Sequence, residues 1–162
     1  MIVLGIDPGL FLTGWGVVEA LSKDKINAIQ YGCIKTMPPA PLIERLHTVH
    51  DELQSVINRY KPEVVAIEEL FFLKASKTVA SVGQSRGAIV LTVSMNKIHL
   101  VEYNPRCVKI ALTGYGSADK HQMQHMVKTF LKLKEIPKPD DAADALAIAL
   151  CHISTKKLEG LL

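Results

Sequence analysis

The chain has 162 residues, of which 48% are hydrophobic and 22% are charged. This composition excludes a disordered chain, and the length suits a single domain over residues 1–162 with one substantial core. The formal net charge of +3 allows a polyanionic partner without requiring one.

The first part of the chain predicts antiparallel strands followed by a helix. Strands are expected at 2–7, 14–20 and 27–36, and the turn sequence PGLFLTG between the first two favours a three-stranded meander. Apolar residues at helical spacing then predict a helix over 41–60. The next run, EVVAIEEL, is rich in β-branched residues and is typical of a central strand buried on both faces.

The remainder of the chain alternates helices with one strand. Helices are expected over 75–96, 105–113 and 117–133, with a strand at 97–103, and the last helix begins with DDAADALAIALCHIS. Antiparallel strands followed by alternating helices and strands predict an α/β fold. In such a fold, a mixed sheet is covered by helices on both faces.

Cysteine usage and the lengths of the apolar runs indicate the cellular compartment in which the protein works. Cys33, Cys107 and Cys151 are far apart and odd in number, which is typical of a reducing cytoplasm. The longest apolar stretch, 87–95, is about half of the ~20 residues needed to cross a bilayer. The N-terminus also lacks the basic region of a secretory signal. We therefore expect a soluble cytoplasmic protein with no membrane partner.

Carboxylates stand at the ends of two predicted strands. Asp7 ends the first strand, although Asp before Pro-Gly is also ordinary turn chemistry. Glu68 ends a strand expected in the core, where a lone carboxylate is costly unless it is paired or bound to metal. A solvated strand end is the alternative. Glu69 follows on the opposite face, so at most one of the two glutamates is expected to share a site with Asp7.

Three more carboxylates open the last helix. Acids in a first helical turn cap free N–H groups and complement the helix dipole, and Asp140 is expected to be the cap. Asp141 and Asp144 are three residues apart and share a helix face, which leaves one acid more than capping needs. Clusters of carboxylates suit Mg²⁺ or Mn²⁺, and two such ions can promote phosphodiester cleavage.

Five blocks of the sequence carry a resemblance to a known family. They are GIDPGL with TGWGVV, then VVAIEELFF, VGQSRGA, VKIALTGYGSADKHQMQHMV and DDAADALAIALCH. In this order and spacing they resemble the RuvC family of Holliday-junction resolvases, over essentially the whole chain. The resemblance implies a ribonuclease-H-like α/β fold with a mixed five-stranded sheet. It also implies a metal-dependent crossover junction endodeoxyribonuclease that resolves four-way DNA junctions by paired symmetric nicks in recombination and repair.

The resemblance implies roles for the carboxylates. It places the catalytic, metal-binding acids at Asp7, Glu68, Asp141 and Asp144. These acids would hold two Mg²⁺ ions for two-metal phosphodiester hydrolysis, with Mn²⁺ able to substitute. Glu69 occupies a position that can be non-acidic in the family, which argues against an essential role.

The resemblance also implies contacts to DNA. Lys109 and Lys120 are expected close to the scissile phosphate, and Phe71 is expected to insert at the branch point. Lys74 and Arg86 are candidates to extend this basic surface. For any single lysine, a solvated surface position is the alternative, and for Phe71 it is ordinary core packing.

A histidine pair is the one other candidate metal site. His121 and His125 are four residues apart, a spacing that can bind Zn²⁺. Lysines lie on the same side of the predicted helix, and no third ligand is apparent. The sequence therefore favours a solvated or DNA-facing surface over a zinc site.

The resemblance implies an assembly of several proteins. It implies a homodimer that works with the RuvA–RuvB branch-migration complex. The predicted helix over 75–96 is apolar over much of its circumference, which leaves surface for a partner subunit. Two subunits would supply the two active sites that paired cuts require.

Three other functions share some of these features. A nuclease of the same fold that acts on ribosomal RNA precursors would need the acids, but neither the Phe71 wedge nor a symmetric dimer. An actin-like ATPase would need a duplicated domain, for which 162 residues leave no room. A non-enzymatic junction-binding protein would not need four carboxylates, which repel DNA unless metal neutralises them.

Overall fold

The structure is a computed structural model, and it describes residues 1–22, 25–69 and 77–160. This part of the chain contains ten helices and strands. In chain order they are β1 (Ile2–Asp7), β2 (Leu12–Ser22), β3 (Lys25–Lys35), α1 (Leu42–Tyr60), β4 (Val64–Glu68), α2 (Lys77–Met95), β5 (His99–Tyr103), α3 (Pro105–Thr113), α4 (Lys120–Phe130) and α5 (Asp140–Leu158). The strands form one five-stranded sheet in the order β3-β2-β1-β4-β5.

The central strand of the sheet is β1. It pairs antiparallel with β2, where Asp7 lies opposite Gly14, and parallel with β4, where Ile6 lies opposite Ile67. The outer pairs are β2 with β3, antiparallel, and β4 with β5, parallel. The predicted meander and the mixed five-stranded sheet are confirmed.

Helices cover both faces of the sheet, as predicted. Leu4 and Ile6 of β1 are buried in a cluster with side chains of α1 and α2. Val3 is buried in a second cluster, formed with side chains of α3, α4 and α5. Because successive strand residues point to opposite faces, Asp7 faces the same side as Val3, toward α5.

The most buried helix is α5. Ala142, Ala143 and every residue from Ala145 to Ile153 are buried. A Cβ atom on Gly5 of β1 would overlap the carbonyl oxygen of Ala145, so the helix backbone lies directly against the sheet. A helix this apolar is typical of a protein core or of a membrane span. None of the described helices is long and apolar enough to cross a bilayer.

The largest difference between predicted and observed bounds is in α4. The sequence predicted a helix over 117–133, whereas the helix spans Lys120–Phe130. The Gln122 backbone N–H donates to the Asp119 carboxylate at 2.8 Å, and the Asp119 N–H donates to the Gln122 side chain at 2.9 Å. This capping box satisfies the free amides of the first turn and sets where the helix begins.

We expect Asp119→Ala to lower the free energy of unfolding by about 1 kcal/mol, because the Gln122 N–H in the first turn of α4 loses the carboxylate that accepts its hydrogen bond. Urea unfolding followed by circular dichroism measures the change. Asp119→Asn is the matched control, since Asn also caps helices and should retain most of the stability. An equal loss in both variants would mean that the cap is not what stabilises this end of α4.

Candidate active site

Two neighbouring strand ends bring Asp7 and Glu68 to one edge of the sheet. The strands that they end, β1 and β4, run parallel and side by side. Ala66 is buried in the same cluster as the side chains of α5, and Glu68 follows it by two residues. Strand alternation therefore directs the side chain of Glu68 to the same face as Asp7.

The side chain of Glu69 lies on the other face. It lines a groove beside α2 together with Arg86 and Glu102, away from the cavity that contains Asp7. The prediction that at most one of the two glutamates shares a site with Asp7 is confirmed, and that residue is Glu68.

Gly14 allows the first turn of α5 to approach the sheet beside Asp7. It is the residue of β2 paired with Asp7, and a Cβ atom at this position would overlap the backbone carbonyl oxygen of Asp141. Only glycine leaves room for this close approach of two backbones. The approach brings Asp141 and Asp144, at the start of α5, next to the acids of the two strands.

A cavity of about 240 Å³ lies where β1 and β4 meet helices α3, α4 and α5. Its charged lining consists of Asp7, Glu68, Lys109, Lys120 and Asp144. Its other lining residues are Pro105, Val108, Met123, Ala147 and Ile148. Asp141 does not line the cavity, but its charge is close enough to raise the pKa of Asp7. The structure thus gathers all four predicted acids at one end of the sheet.

The carboxylates in this cavity repel one another and are poorly solvated. Burial, reinforced by the charges of Glu68, Asp144 and Asp141, raises the pKa of Asp7 from 3.8 to about 7. Burial also raises the pKa of Glu68 and that of Asp144. The positive charge of Lys120 partly offsets the rise in the pKa of Asp7, and that of Lys109 partly offsets the rise in the pKa of Glu68. A divalent cation among these oxygens would relieve the repulsion.

The chemistry of the donor set fits a hard cation. All the acidic groups offer oxygen ligands, which Mg²⁺ and Mn²⁺ prefer. Within the described ranges, no three His, Cys, Asp or Glu side chains are close enough to hold one ion as they stand. The counter-ion of Asp144 in this structure is Lys120, whose Nζ lies 3.4 Å from the Asp144 Oδ2. A bound cation would replace Lys120 as the counter-ion of Asp144.

The prediction that Asp140 caps α5 is wrong. The N-cap residue is Pro139, and no side chain caps this helix end. Asp140 is the first helical residue, and its carboxylate pairs with Lys138 at 3.2 Å and with Lys120 at 3.4 Å. The carboxylate therefore pairs with two lysines and accepts no hydrogen bond from the amides of the first turn. Its negative charge still complements the helix dipole.

Two hydroxyl groups that the sequence reasoning missed hold the turn after Asp7. The Thr13 Oγ1 donates to the Gly9 carbonyl at 2.6 Å, and the Ser85 Oγ of α2 donates to the same oxygen at 3.1 Å. Both side chains are buried. Ser85 lies between Gln84 and Arg86, so no local pattern marked it, and only the fold shows what it contacts.

The residues predicted to contact DNA are only partly assembled. Lys109 and Lys120 line the cavity with the acids. Arg86 lies outside the cavity, and its Nη2 pairs with the Glu102 Oε2 at 2.5 Å. Phe71 and Lys74 lie outside the described residues. Contacts of all these residues with DNA stay predictions.

We expect the metal-free protein to lose stability as the pH rises from about 4 to about 7. The pKa of Asp7 is about 7 in the folded state, above its ordinary value of 3.8, so the folded state binds more protons in this interval. The stability that protonated Asp7 contributes below pH 3.8 is therefore lost as the pH rises through the folded-state pKa of about 7.

Urea unfolding of the wild type and of Asp7→Asn, in EDTA at about pH 5 and about pH 8, tests this prediction. The Asn side chain at position 7 cannot ionise, so the variant lacks the pH dependence that Asp7 causes. The difference in unfolding free energy, variant minus wild type, should become more positive at the higher pH. A difference that does not change with pH would contradict the raised pKa.

Comparison with known proteins identifies the family. The sequence model described as crossover junction endodeoxyribonuclease RuvC matches residues 3–152. The protein of that name from Endomicrobium trichonymphae is 74% identical over 155 residues, which cover 96% of this chain and 82% of that protein. Its counterpart from Caldicellulosiruptor saccharolyticus is 53% identical over 153 residues, which cover 94% of this chain and 92% of that protein.

A solved structure agrees with the sequence match. Thermus thermophilus RuvC in complex with Holliday junction substrate superimposes with a TM-score of 0.92 at 38% identity, covering 99% of this chain and 97% of that chain. This likeness confirms the predicted ribonuclease-H-like fold. Given the match to the family over residues 3–152 and the identity to its members along nearly the whole length, this chain belongs to the RuvC family of crossover junction endodeoxyribonucleases.

Proposed function

We propose that this chain resolves four-way DNA junctions by paired symmetric nicks during recombination and repair. Its family is one of metal-dependent nucleases. The observation that carries the proposal is the convergence of Asp7, Glu68 and Asp144 with Lys109 and Lys120 in one cavity. Carboxylates supply metal ligands and lysines attract a phosphate, so this combination suits phosphodiester hydrolysis.

In this proposal Asp7, Glu68, Asp141 and Asp144 hold two Mg²⁺ ions, and Mn²⁺ can substitute. When bound, the ions activate water and stabilise the charge on the leaving oxygen. Asp7 carries a proton part of the time near neutral pH, because its pKa is about 7, and it must release that proton to become a ligand. Metal affinity should therefore fall as the pH drops below about 7.

The two lysines of the cavity bind and orient the phosphate. Lys120 is more than half exposed and pairs with Asp144 and Asp140 at 3.4 Å each, so its ammonium is poised between the acids and solvent. Lys109 enters from α3 on the side of Glu68. A DNA phosphate that reaches the cavity can replace the carboxylates as the partner of Lys120.

The proposed active unit is a homodimer formed through α2. Leu91 and Met95 of this helix are 61% and 64% exposed, which is unusual for apolar side chains on one helix. Two copies related by a two-fold axis would present two cavities to the two strands that must be cut. We further propose that each subunit is one domain, that the protein works in the cytoplasm, and that it cooperates with the RuvA–RuvB complex.

We expect Leu91→Glu to convert the dimer into monomers, because the substitution would bury an unpaired charge at the interface. Sedimentation velocity measures the oligomeric state. The matched control is Ile43→Glu, since Ile43 is an even more exposed apolar residue (77%) and belongs to a different helix, α1. A Leu91→Glu variant that remains dimeric would exclude this face of α2 as the contact.

Cleavage of a synthetic four-way junction tests the function. The wild type is incubated with the junction in Mg²⁺ or in EDTA, and a linear duplex of the same sequence is the control. Symmetric nicks in the junction alone, abolished by EDTA, are the expected result. Binding without cleavage across metals and junction sequences would favour a binding protein, and preferential cleavage of RNA would favour the ribosomal RNA nuclease.

A further inference from the structure

We propose that His121 and His125 form a binding site for one divalent transition-metal ion, of the class of Zn²⁺ or Ni²⁺, on the exposed face of α4. Both Nε2 atoms are the ligands, and water completes the coordination. The site is separate from the carboxylate cavity, whose lining includes neither histidine. The proposal does not depend on the proposed nuclease function.

The distance between the two nitrogen atoms matches what one ion requires. The His121 Nε2 and the His125 Nε2 are 3.2 Å apart, and the ring centroids are 4.3 Å apart. Two Zn–N bonds of about 2.0–2.1 Å that span this distance enclose an angle of about 100–106°, close to the tetrahedral value. The two ligand atoms are therefore already separated by the distance that one bound ion needs.

The contact itself requires a hydrogen atom or a metal ion between the two nitrogen atoms. Two Nε2 lone pairs that face each other at 3.2 Å repel, so either a proton or a cation must lie between them. Without metal, one neutral ring donates its Nε2–H to the other. When an ion binds, that ring moves its proton from Nε2 to Nδ1, and both neutral rings become ligands with no net proton released.

The helix holds the two rings in place before any ion binds. His121 lies in the first turn, which the capping box of Asp119 and Gln122 closes. On the opposite side of the helix, Met123 and Val127 are buried in the cluster shared with α5. Because the backbone is already ordered, binding costs little conformational entropy. Both histidines are exposed, so water has access to the remaining coordination positions.

The donor type separates this site from the carboxylate cavity. Imidazole nitrogen suits Zn²⁺, Ni²⁺ and Cu²⁺, whereas Mg²⁺ prefers oxygen ligands. An excess of Mg²⁺ should therefore occupy the carboxylates and leave the histidine pair free for a transition metal.

Calorimetric titration with Zn²⁺ in excess Mg²⁺ tests the proposal, using wild type, His121→Gln, His125→Gln and the control His47→Gln. His47 is also exposed and has an acidic partner four residues on, the Asp51 Oδ2 at 3.1 Å, but no second imidazole. Zinc affinity should fall at least about tenfold in each pair variant and stay unchanged in the control. Binding at the exposed Cys107 would persist in all four proteins and cannot imitate this pattern.

A second readout reports the residues directly. In NMR spectra of the wild type, the imidazole resonances of His121 and His125 should change together at one equivalent of Zn²⁺, while those of His47 should not. With zinc at about ten times its Kd, the unfolding midpoint of the wild type should rise by about 3–6 °C, and that of His125→Gln should not. Equal zinc affinity in His121→Gln, His125→Gln and His47→Gln would overturn the proposal.

Discussion

Asp7→Asn is expected to reduce junction cleavage at least about a thousandfold while leaving junction binding intact. The other three acids, Glu68, Asp144 and Asp141, all lie close enough to Asp7 for their charges to raise its pKa. The amide removes a charged ligand from the centre of the proposed metal site. It does not remove Lys109 or Lys120, which line the same cavity and are proposed to bind the phosphate.

Single-turnover cleavage of a labelled junction in Mg²⁺ measures the rate, and a gel-shift titration in EDTA measures binding. Asp51→Asn is the matched control, because it makes the same chemical change at an exposed aspartate of α1 and should cleave at the wild-type rate. An Asp7→Asn variant within about tenfold of the wild-type rate would exclude Asp7 as a metal ligand.

The same variant separates loss of chemistry from loss of folding. Asp7 is a poorly solvated carboxylate among like charges, so its charge opposes folding when no metal is bound. Asp7→Asn should therefore unfold in urea at the same concentration as the wild type or a higher one, measured in EDTA at about pH 8. A destabilised variant would contradict this account of the cavity.

Gly14→Ala is expected to lower the free energy of unfolding by about 2–3 kcal/mol and to impair cleavage as well. The added Cβ would overlap the carbonyl oxygen of Asp141, which belongs to the backbone and cannot rotate away. The start of α5 must therefore move off the sheet, and it takes Asp141 and Asp144 with it. Urea unfolding and single-turnover cleavage measure the two effects.

Gly87→Ala provides the matched control for the stability measurement. A Cβ at Gly87 of α2 meets no atom of the described residues within 4 Å. Alanine is the better helix former, so this variant should gain about 0.5–1 kcal/mol of stability. If Gly14→Ala proved as stable and as active as the wild type, the close approach of α5 to β2 would not be what positions the acids.

The fold was largely predictable because its signals are local. Alternation and β-branched runs predicted the strands, and helical spacing of apolar residues predicted the helices on both faces. The start of α4 was misplaced by three residues, because the sequence reasoning did not use the capping box of Asp119 and Gln122. The cap of α5 was predicted wrongly, since Asp140 pairs with Lys138 two residues before it and with Lys120, which lies in another segment of the chain.

The amino-acid sequence alone determined the family, through five blocks in a fixed order, and with it the acids that the resemblance implies. Alternation along β4 determined that at most one of Glu68 and Glu69 could join Asp7. The resemblance pointed to Glu68, and only the tertiary structure gave the physical reason, because the choice depends on the face of the sheet against which α5 packs. Gly5 and Gly14 allow that packing, and the contact of Ser85 with the turn after Asp7 crosses 76 residues of sequence. Contacts of this kind depend on distances between remote segments, which no local pattern encodes.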